Sequence, residues 1–84
     1  MNPRKLFAKL ANNQTNVRFG ELVRLAEAFG FRLERSEGSH FIYRNRSVRE
    51  HLNLQNDGGK AKAYQVRQLL KLIEMYNLSP EQRR

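Results

Sequence analysis

Apolar positions recur at spacings of three and four in two stretches of the chain, residues 19–30 and 63–77, which is the spacing of one helical face. Gly30 follows the first stretch as a C-terminal stop, and Ser79-Pro80 marks the end of the second. Both stretches therefore predict amphipathic helices. Their apolar positions are Leu22, Leu25, Ala26 and Phe29 in the first helix and Val66, Leu69, Leu70, Ile73 and Tyr76 in the second.

A weaker apolar repeat precedes the first of these helices. Leu6, Phe7 and Leu10 lie at helical spacing before an Asn pair. This segment predicts either a short accessory helix or one loose turn.

Three short segments between the two helices carry strand patterns. FRLERS alternates Phe31, Leu33 and Arg35 against polar neighbours, which predicts a strand with one buried face. EGS predicts a hairpin turn at Gly38, where a positive φ is least costly, and HFIYRNR follows as the second strand. HLNLQ alternates again and predicts a short third strand before NDGGK breaks the pattern.

These elements predict an α+β domain of order α-β-β-β-α, with a three-stranded antiparallel sheet. We expect both helices on one face, because three strands in so short a chain cannot bury two faces. The other face is then open to water or to a ligand. We expect one domain over residues 1–84, composed of an N-terminal extension (1–18), a core (19–78) and a frayed tail (79–84).

The charge of the chain points to a polyanionic partner. Sixteen Lys and Arg against eight Asp and Glu give a formal net charge of +8. Residues 1–18, 31–49 and 58–72 sum to +4, +3 and +4, and we interpret the positive charge as gathered on the predicted strands and around the GGKAK segment. Nucleic acid is the partner that this pattern suggests, although many small proteins are basic without binding it.

Composition narrows the function classes further. There is no cysteine, so no disulfide or thiolate metal site is available, and we expect a reducing, cytoplasmic location. No apolar run is long enough for a membrane span or a signal peptide, so we expect no membrane partner. The carboxylates are scattered, without a paired-Asp or His-x-x-x-His pattern, so we predict no metal and no other cofactor.

GGKAK contains glycines and lysines but lacks the spacing of a P-loop, so nucleotide hydrolysis is not predicted. Lys60 and Lys62 precede the second helix, where they would suit an RNA phosphate. A flexible, solvated turn is the alternative.

His40 is the residue with the clearest chemical potential. It stands between the predicted turn and the second strand, with Arg35, Arg44 and Arg46 nearby. An imidazole can take a proton from a ribose 2′-hydroxyl or give one to a leaving oxygen, and arginines can hold the phosphate. A lone histidine at a strand start is more often a satisfied or exposed structural residue.

His51 offers a second imidazole. If Phe41 and Tyr43 face the core, both histidines lie on the open face and Ile42 is exposed. The opposite register buries Ile42 and turns both aromatic rings outward. The sequence leaves both registers open, and His51 is either a second proton-transfer group or a solvated strand residue.

Residues 30–44, GFRLERSEGSHFIYR, resemble the signature of the HicA family of toxins from bacterial toxin-antitoxin pairs. In that signature a Gly-Phe closing the first helix is followed by a strand, a Gly-Ser-His turn and an aromatic strand. The closing segment GGKAKAYQVRQLLKLIEMYNL is similar to the final lysine-led helix of the longer family members. The resemblance covers roughly residues 19–78.

The resemblance implies a double-stranded-RNA-binding-domain-like fold and a metal-free endoribonuclease, an mRNA interferase, that a cognate HicB-type antitoxin neutralises. It maps the catalytic histidine onto His40 and the turn glycine and serine onto Gly38 and Ser39. The alternative is a non-catalytic RNA-binding module that grips RNA by shape and phosphate contacts, in which His40 only packs the turn. The residues expected to contact RNA are Arg35, Arg44, Arg46, Lys60 and Lys62.

Overall fold

The computed structural model describes residues 1–81 and has the element order α-α-β-β-β-α. The strands form one antiparallel sheet in the order β1-β2-β3. The predicted α+β class and strand meander are therefore confirmed, with one further helix at the N-terminus. The elements are α1 (Pro3–Asn12), α2 (Phe19–Ala28), β1 (Arg32–Glu37), β2 (His40–Arg44), β3 (Leu52–Gln55) and α3 (Ala63–Met75).

The N-terminal extension forms a helix rather than a loose turn. The side chain of Asn2 caps its first turn by accepting a backbone N–H. Leu6 and Leu10 are buried in the core, and the ring of Phe7 lies 6.2 Å from that of Phe29. Because its apolar face joins the same core as α2 and α3, α1 is an integral part of the fold.

Helices α2 and α3 bury the predicted apolar faces, and each ends at a residue with positive φ. Gly30 follows α2 with a φ of +95°. Asn77 follows α3 with a φ of +51°, and Leu78 N–H donates to the Ile73 carbonyl at 2.9 Å, which closes the helix. The predicted end at Ser79-Pro80 is therefore too late. Within residues 1–81 no helix combines the length and the apolar character needed to cross a membrane.

The strand register decides which side chains face the core. Tyr43 pairs with Leu52 and Phe41 pairs with Leu54, and directly opposite side chains share a face. Both leucines are fully buried beneath the helices. The register with the aromatic rings inward is therefore confirmed, and the alternate positions of β2, including Ile42, lie on the open face.

Strand β1 differs from its prediction. All six of its residues are exposed, and Leu33 is 50% exposed, since the strand residues that are buried in the core belong to β2 and β3. The prediction of a half-buried strand is wrong. A β-bulge at Glu34 also breaks the alternation: Leu33 pairs with Tyr43, but Arg35 pairs with Ile42 and so lies on the open face.

The C-terminal segment expected to fray is held to the fold as far as the structure describes it. Glu81 N–H donates to the carbonyl of Ala28 at 2.8 Å, and its carboxylate pairs with Arg32. Residues 82–84 of that prediction lie outside the described residues.

Candidate active site

A tight hairpin turn places His40 at the end of the sheet, as the first residue of β2. Gly38 has a φ of +56°, and a Cβ there would meet nothing within 4 Å, so glycine is favoured by its backbone conformation rather than by lack of space. The carbonyl of Ser39 accepts the N–H of Asn56 at 2.9 Å. This bond ties the turn to the end of β3 and fixes the position of His40.

The imidazole of His40 has a hydrogen-bond partner on the neighbouring strand. Its Nδ1 lies 3.3 Å from Oδ1 of Asn53. Because an amide oxygen only accepts, this bond requires the proton on Nδ1, and a neutral ring then carries its lone pair on Nε2. Asn53 is not among the site residues predicted from the sequence. The alternation in HLNLQ, which turns Asn53 away from the buried leucines, was the available signal.

His40 lies at the centre of a row of three residues across the sheet. Its direct partners are Glu37 on β1 and Gln55 on β3. Opposite residues in such pairs have Cβ atoms about 4.5–5.5 Å apart, so a carboxylate and an amide flank the imidazole. The backbone N–H of Gln55 donates to the buried Gln65 at 2.7 Å, which secures the edge of this row.

A second polar group occupies the other end of the open face. Glu34 lies 3.7 Å from Nη1 of Arg44 and 3.8 Å from Nε2 of His51. His51 is four residues before Gln55, the partner of His40, so about 13 Å separates the two histidines along the strand direction. They share the open face, but this separation disfavours joint action on one phosphodiester.

The predicted arginines divide between two regions. Arg35 and Arg44 lie on the open face with His40. Arg46 follows β2 and lines a separate hollow of about 360 Å³ near the C-terminal end of α3. The sheet therefore brings Arg35 and Arg44 onto the face of His40 but does not bring Arg46 there.

The glycine segment forms a hydrogen-bonded turn ahead of α3. Asp57 and Lys60 exchange backbone hydrogen bonds of 2.9 and 3.0 Å, and Gly58 and Gly59 have φ values of +60° and +90°. Positive φ at both central residues is the requirement of a type I′ turn. The ammonium of Lys62 pairs with Asp57 at 3.3 Å, whereas Lys60 has no ion-pair partner within residues 1–81.

Metal-binding groups are not clustered in the part of the chain that the structure describes. No three or more His, Cys, Asp and Glu side chains lie together there in a way that could hold a metal ion. The absence of a cofactor stays a prediction.

The fold and the position of the Gly-Ser-His turn can now be set beside known proteins. The family model for the HicA toxin of bacterial toxin-antitoxin systems matches residues 19–75. The chain belongs to the HicA toxin family. The HicA match runs from the start of α2 to the end of α3, leaves α1 outside, and implies an antitoxin partner. Searches of the curated proteins and of the solved structures gave no match.

Proposed function

We propose that this HicA-family chain is a cytoplasmic endoribonuclease that cuts mRNA by histidine acid-base catalysis and is neutralised by a cognate HicB-type antitoxin. The observation that carries the proposal is the contact between His40 and Asn53 on the open face. A partner that accepts from Nδ1 leaves Nε2 of an exposed imidazole for substrate. Family membership supports the toxin role.

The reaction uses a nucleophile that RNA itself supplies. The ribose 2′-oxygen attacks the adjacent phosphorus, the O2′–P bond forms and the P–O5′ bond breaks. A base takes the proton of the 2′-hydroxyl, and an acid gives a proton to the departing 5′-oxygen. The products are a 2′,3′-cyclic phosphate and a 5′-hydroxyl, and the protein must supply two proton transfers and stabilise the phosphate charge.

Residues of the open face can fill these roles. A carboxylate is suited to act as the base that takes the proton of the 2′-hydroxyl, and Nε2–H of the imidazolium form of His40 then acts as the acid that protonates the departing 5′-oxygen. Glu37 is better placed to act as this base than His51, because it pairs directly with His40 across β1 and β2. Arg35, which the bulge brings to this face, would hold the phosphate oxygens by charge-assisted hydrogen bonds.

The test is cleavage of single-stranded RNA by the purified chain in EDTA, with analysis of the product ends. Wild type should yield 2′,3′-cyclic phosphate ends. His40→Ala should lower the rate by about a hundredfold to ten-thousandfold, the range for one general acid-base group. His40 is exposed, so the melting temperature and the RNA affinity of the variant should stay close to wild type.

His51→Ala is the matched control, since it removes an exposed imidazole from the same face. It should change the cleavage rate only a few-fold, because one exposed polar side chain contributes little interaction energy. Wild-type cleavage by His40→Ala, or strict dependence on added Mg²⁺ or Mn²⁺, would contradict the proposal. RNA binding by wild type without cleavage would instead favour the non-catalytic module.

A further inference from the structure

A basic groove lies between α1, α2 and the glycine turn, on the helical side of the molecule. Its volume is about 660 Å³. One wall comes from α1 and the segment after it, outside the residues that match the HicA model. Its charged lining side chains are Lys9, Arg18, Arg24, Lys60 and Glu21.

The carboxylate of this groove is already engaged. Glu21 accepts from Nζ of Lys9 at 2.6 Å and from the backbone N–H of Arg18 at 3.1 Å. These two bonds hold the pKa of Glu21 below its usual value, with the Lys9 bond as the larger cause. The exposed side chains of Arg18, Arg24 and Lys60 make no ion pair within residues 1–81, so they remain available to an anion.

Backbone pairing holds two of these cations side by side. Arg18 and Lys60 form an antiparallel bridge between the segment before α2 and the glycine turn. Two hydrogen bonds flank the bridge, so the cations sit on an ordered frame. These 2.9 Å bonds run from Phe19 N–H to the Gly59 carbonyl and from Ala61 N–H to the Val17 carbonyl.

The groove adjoins the end of the sheet that carries His40. The turn that presents Lys60 begins at Asn56, and Asn56 N–H donates to the carbonyl of Ser39, the residue before His40. The side chain of Asn56 also accepts from Gly59 N–H at 2.7 Å. Five consecutive residues, 56–60, therefore connect the groove to the hairpin turn.

We propose that the basic groove binds backbone phosphates of the RNA strand next to the bond that His40 cleaves, which rests on the proposed function. A strand that leaves the open face at His40 meets Lys60 and then Arg18, and its phosphates match a row of unpaired cations. An acidic peptide could match the same charges. The connection to the His40 turn favours the substrate strand.

The test measures binding of a 2′-O-methyl oligonucleotide, which has no free 2′-hydroxyl and stays intact. The variant Arg18→Gln, Arg24→Gln, Lys60→Gln removes three cations at once. If it loses three single-strand phosphate contacts, the slope of log K against log salt should fall by about 2 between about 50 and about 200 mM salt. Affinity at the lower salt should fall at least about tenfold.

The matched control removes the same charge elsewhere, with Arg4→Gln, Arg67→Gln and Lys71→Gln. All three are exposed and do not line the groove. The control should lower the slope by less than about half as much, since diffuse charge alone contributes weakly at these salt concentrations. Melting temperatures check folding, and if the groove variant melts lower, Lys60→Gln and Arg24→Gln alone should each lower the slope by about 0.7.

Equal losses in the groove variant and the control would overturn the inference, because total charge would then explain both. A second outcome would overturn the inference but leave the proposed function intact. In that outcome the wild type cleaves RNA in EDTA, and the groove variant binds the oligonucleotide with an unchanged salt slope. Polyglutamate can be compared as a competitor with an oligonucleotide of equal charge. If the two compete equally well, the groove binds an acidic protein, and the inference is overturned.

Discussion

Oδ1 of Asn53 lies 3.3 Å from Nδ1 of His40, so an amide on β3 is placed to accept from the Nδ1–H tautomer of the histidine on β2. Neither residue is buried, and the two belong to neighbouring strands whose register is fixed by the buried leucines of β3. The contact therefore depends on the core beneath the sheet, although it lies on the opposite face.

Asn53→Ala should lower the cleavage rate by about tenfold, because it removes one hydrogen bond that stabilises the transition state by about 1.4 kcal/mol. RNA affinity and melting temperature should change little, because the side chain is exposed. Asn53→Asp keeps an acceptor for Nδ1–H and should restore most of the rate. It should also move the pH profile of cleavage upward, since a carboxylate favours the protonated imidazole.

A purely structural role for Asn53 would instead lower the melting temperature of Asn53→Ala together with its rate. The control is Gln68→Ala, which truncates an exposed amide on α3. Equal rates in Asn53→Ala and wild type would show that the imidazole is oriented without the amide.

The second proton-transfer group can be identified by comparing the cleavage rates of Glu37→Gln and His51→Gln. Glu37 lies directly across from His40, whereas His51 lies about 13 Å along the strand. Glu37→Gln should lower the rate by about a hundredfold, while Gln keeps the side-chain shape. His51→Gln should change the rate only a few-fold. A large loss of rate in His51→Gln with little loss in Glu37→Gln would instead place the second proton-transfer group near Glu34, at the other end of the open face.

The local sequence pattern was sufficient to predict the amphipathic helices and the hairpin turn. The apolar spacing of α2 and α3 and the glycine requirement at Gly38 depend on nearby residues alone, and the structure has all three. The inward direction of Phe41 and Tyr43 needed the pairing with β3, because either register of β2 alone left apolar side chains exposed.

Features that depend on the partner strand could not be predicted. The bulge at Glu34 arises where β1 pairs with β2, so alternation in FRLERS wrongly placed Arg35 on the face of Leu33. The exposure of β1 follows from the position of the helices, and the apolar pattern of a strand does not indicate where helices pack. The partnership of His40 with Asn53 joins residues 13 positions apart and requires both strands in register.

Glu34 places a carboxylate among the cations of the open face, within 4 Å of both Arg44 and His51. Glu34→Gln should raise RNA affinity by about two- to fivefold at low salt, because it releases Arg44 and removes a negative charge that repels phosphate. The gain should fade as salt rises. Filter binding at two salt concentrations measures it, with Glu74→Gln on α3 as control. An equal gain in affinity in Glu74→Gln would show that the change in net charge, rather than the position of Glu34, explains the effect.

Glu21 joins α1 to α2, since it accepts from Lys9 of α1 and from the backbone of Arg18. These bonds lower its pKa from the ordinary 4.5, with the bond from Lys9 as the main cause. A lowered pKa in the folded state stabilises the fold above the unfolded pKa, and this stability is lost as pH falls through the folded pKa. The acid-sensitive window therefore lies below about pH 4.5.

Glu21→Gln should lower the free energy of unfolding at neutral pH by about 0.5–1.5 kcal/mol, since Lys9 is half exposed and the pair is partly screened. For a chain of this size that is a shift in melting temperature of about 2–12 °C. The difference between variant and wild type should shrink as pH falls below about 4.5 and the carboxylate of the wild type becomes protonated.

The same substitution should raise RNA affinity, because it removes the carboxylate that lines the basic groove. Lower stability with higher affinity separates this effect from general unfolding, which would lower both. Thermal melts across pH and binding of the 2′-O-methyl oligonucleotide measure the two quantities on one variant. A stability difference that persists unchanged at low pH would show that Glu21 acts by packing rather than by charge, and unchanged affinity would place the RNA outside the groove.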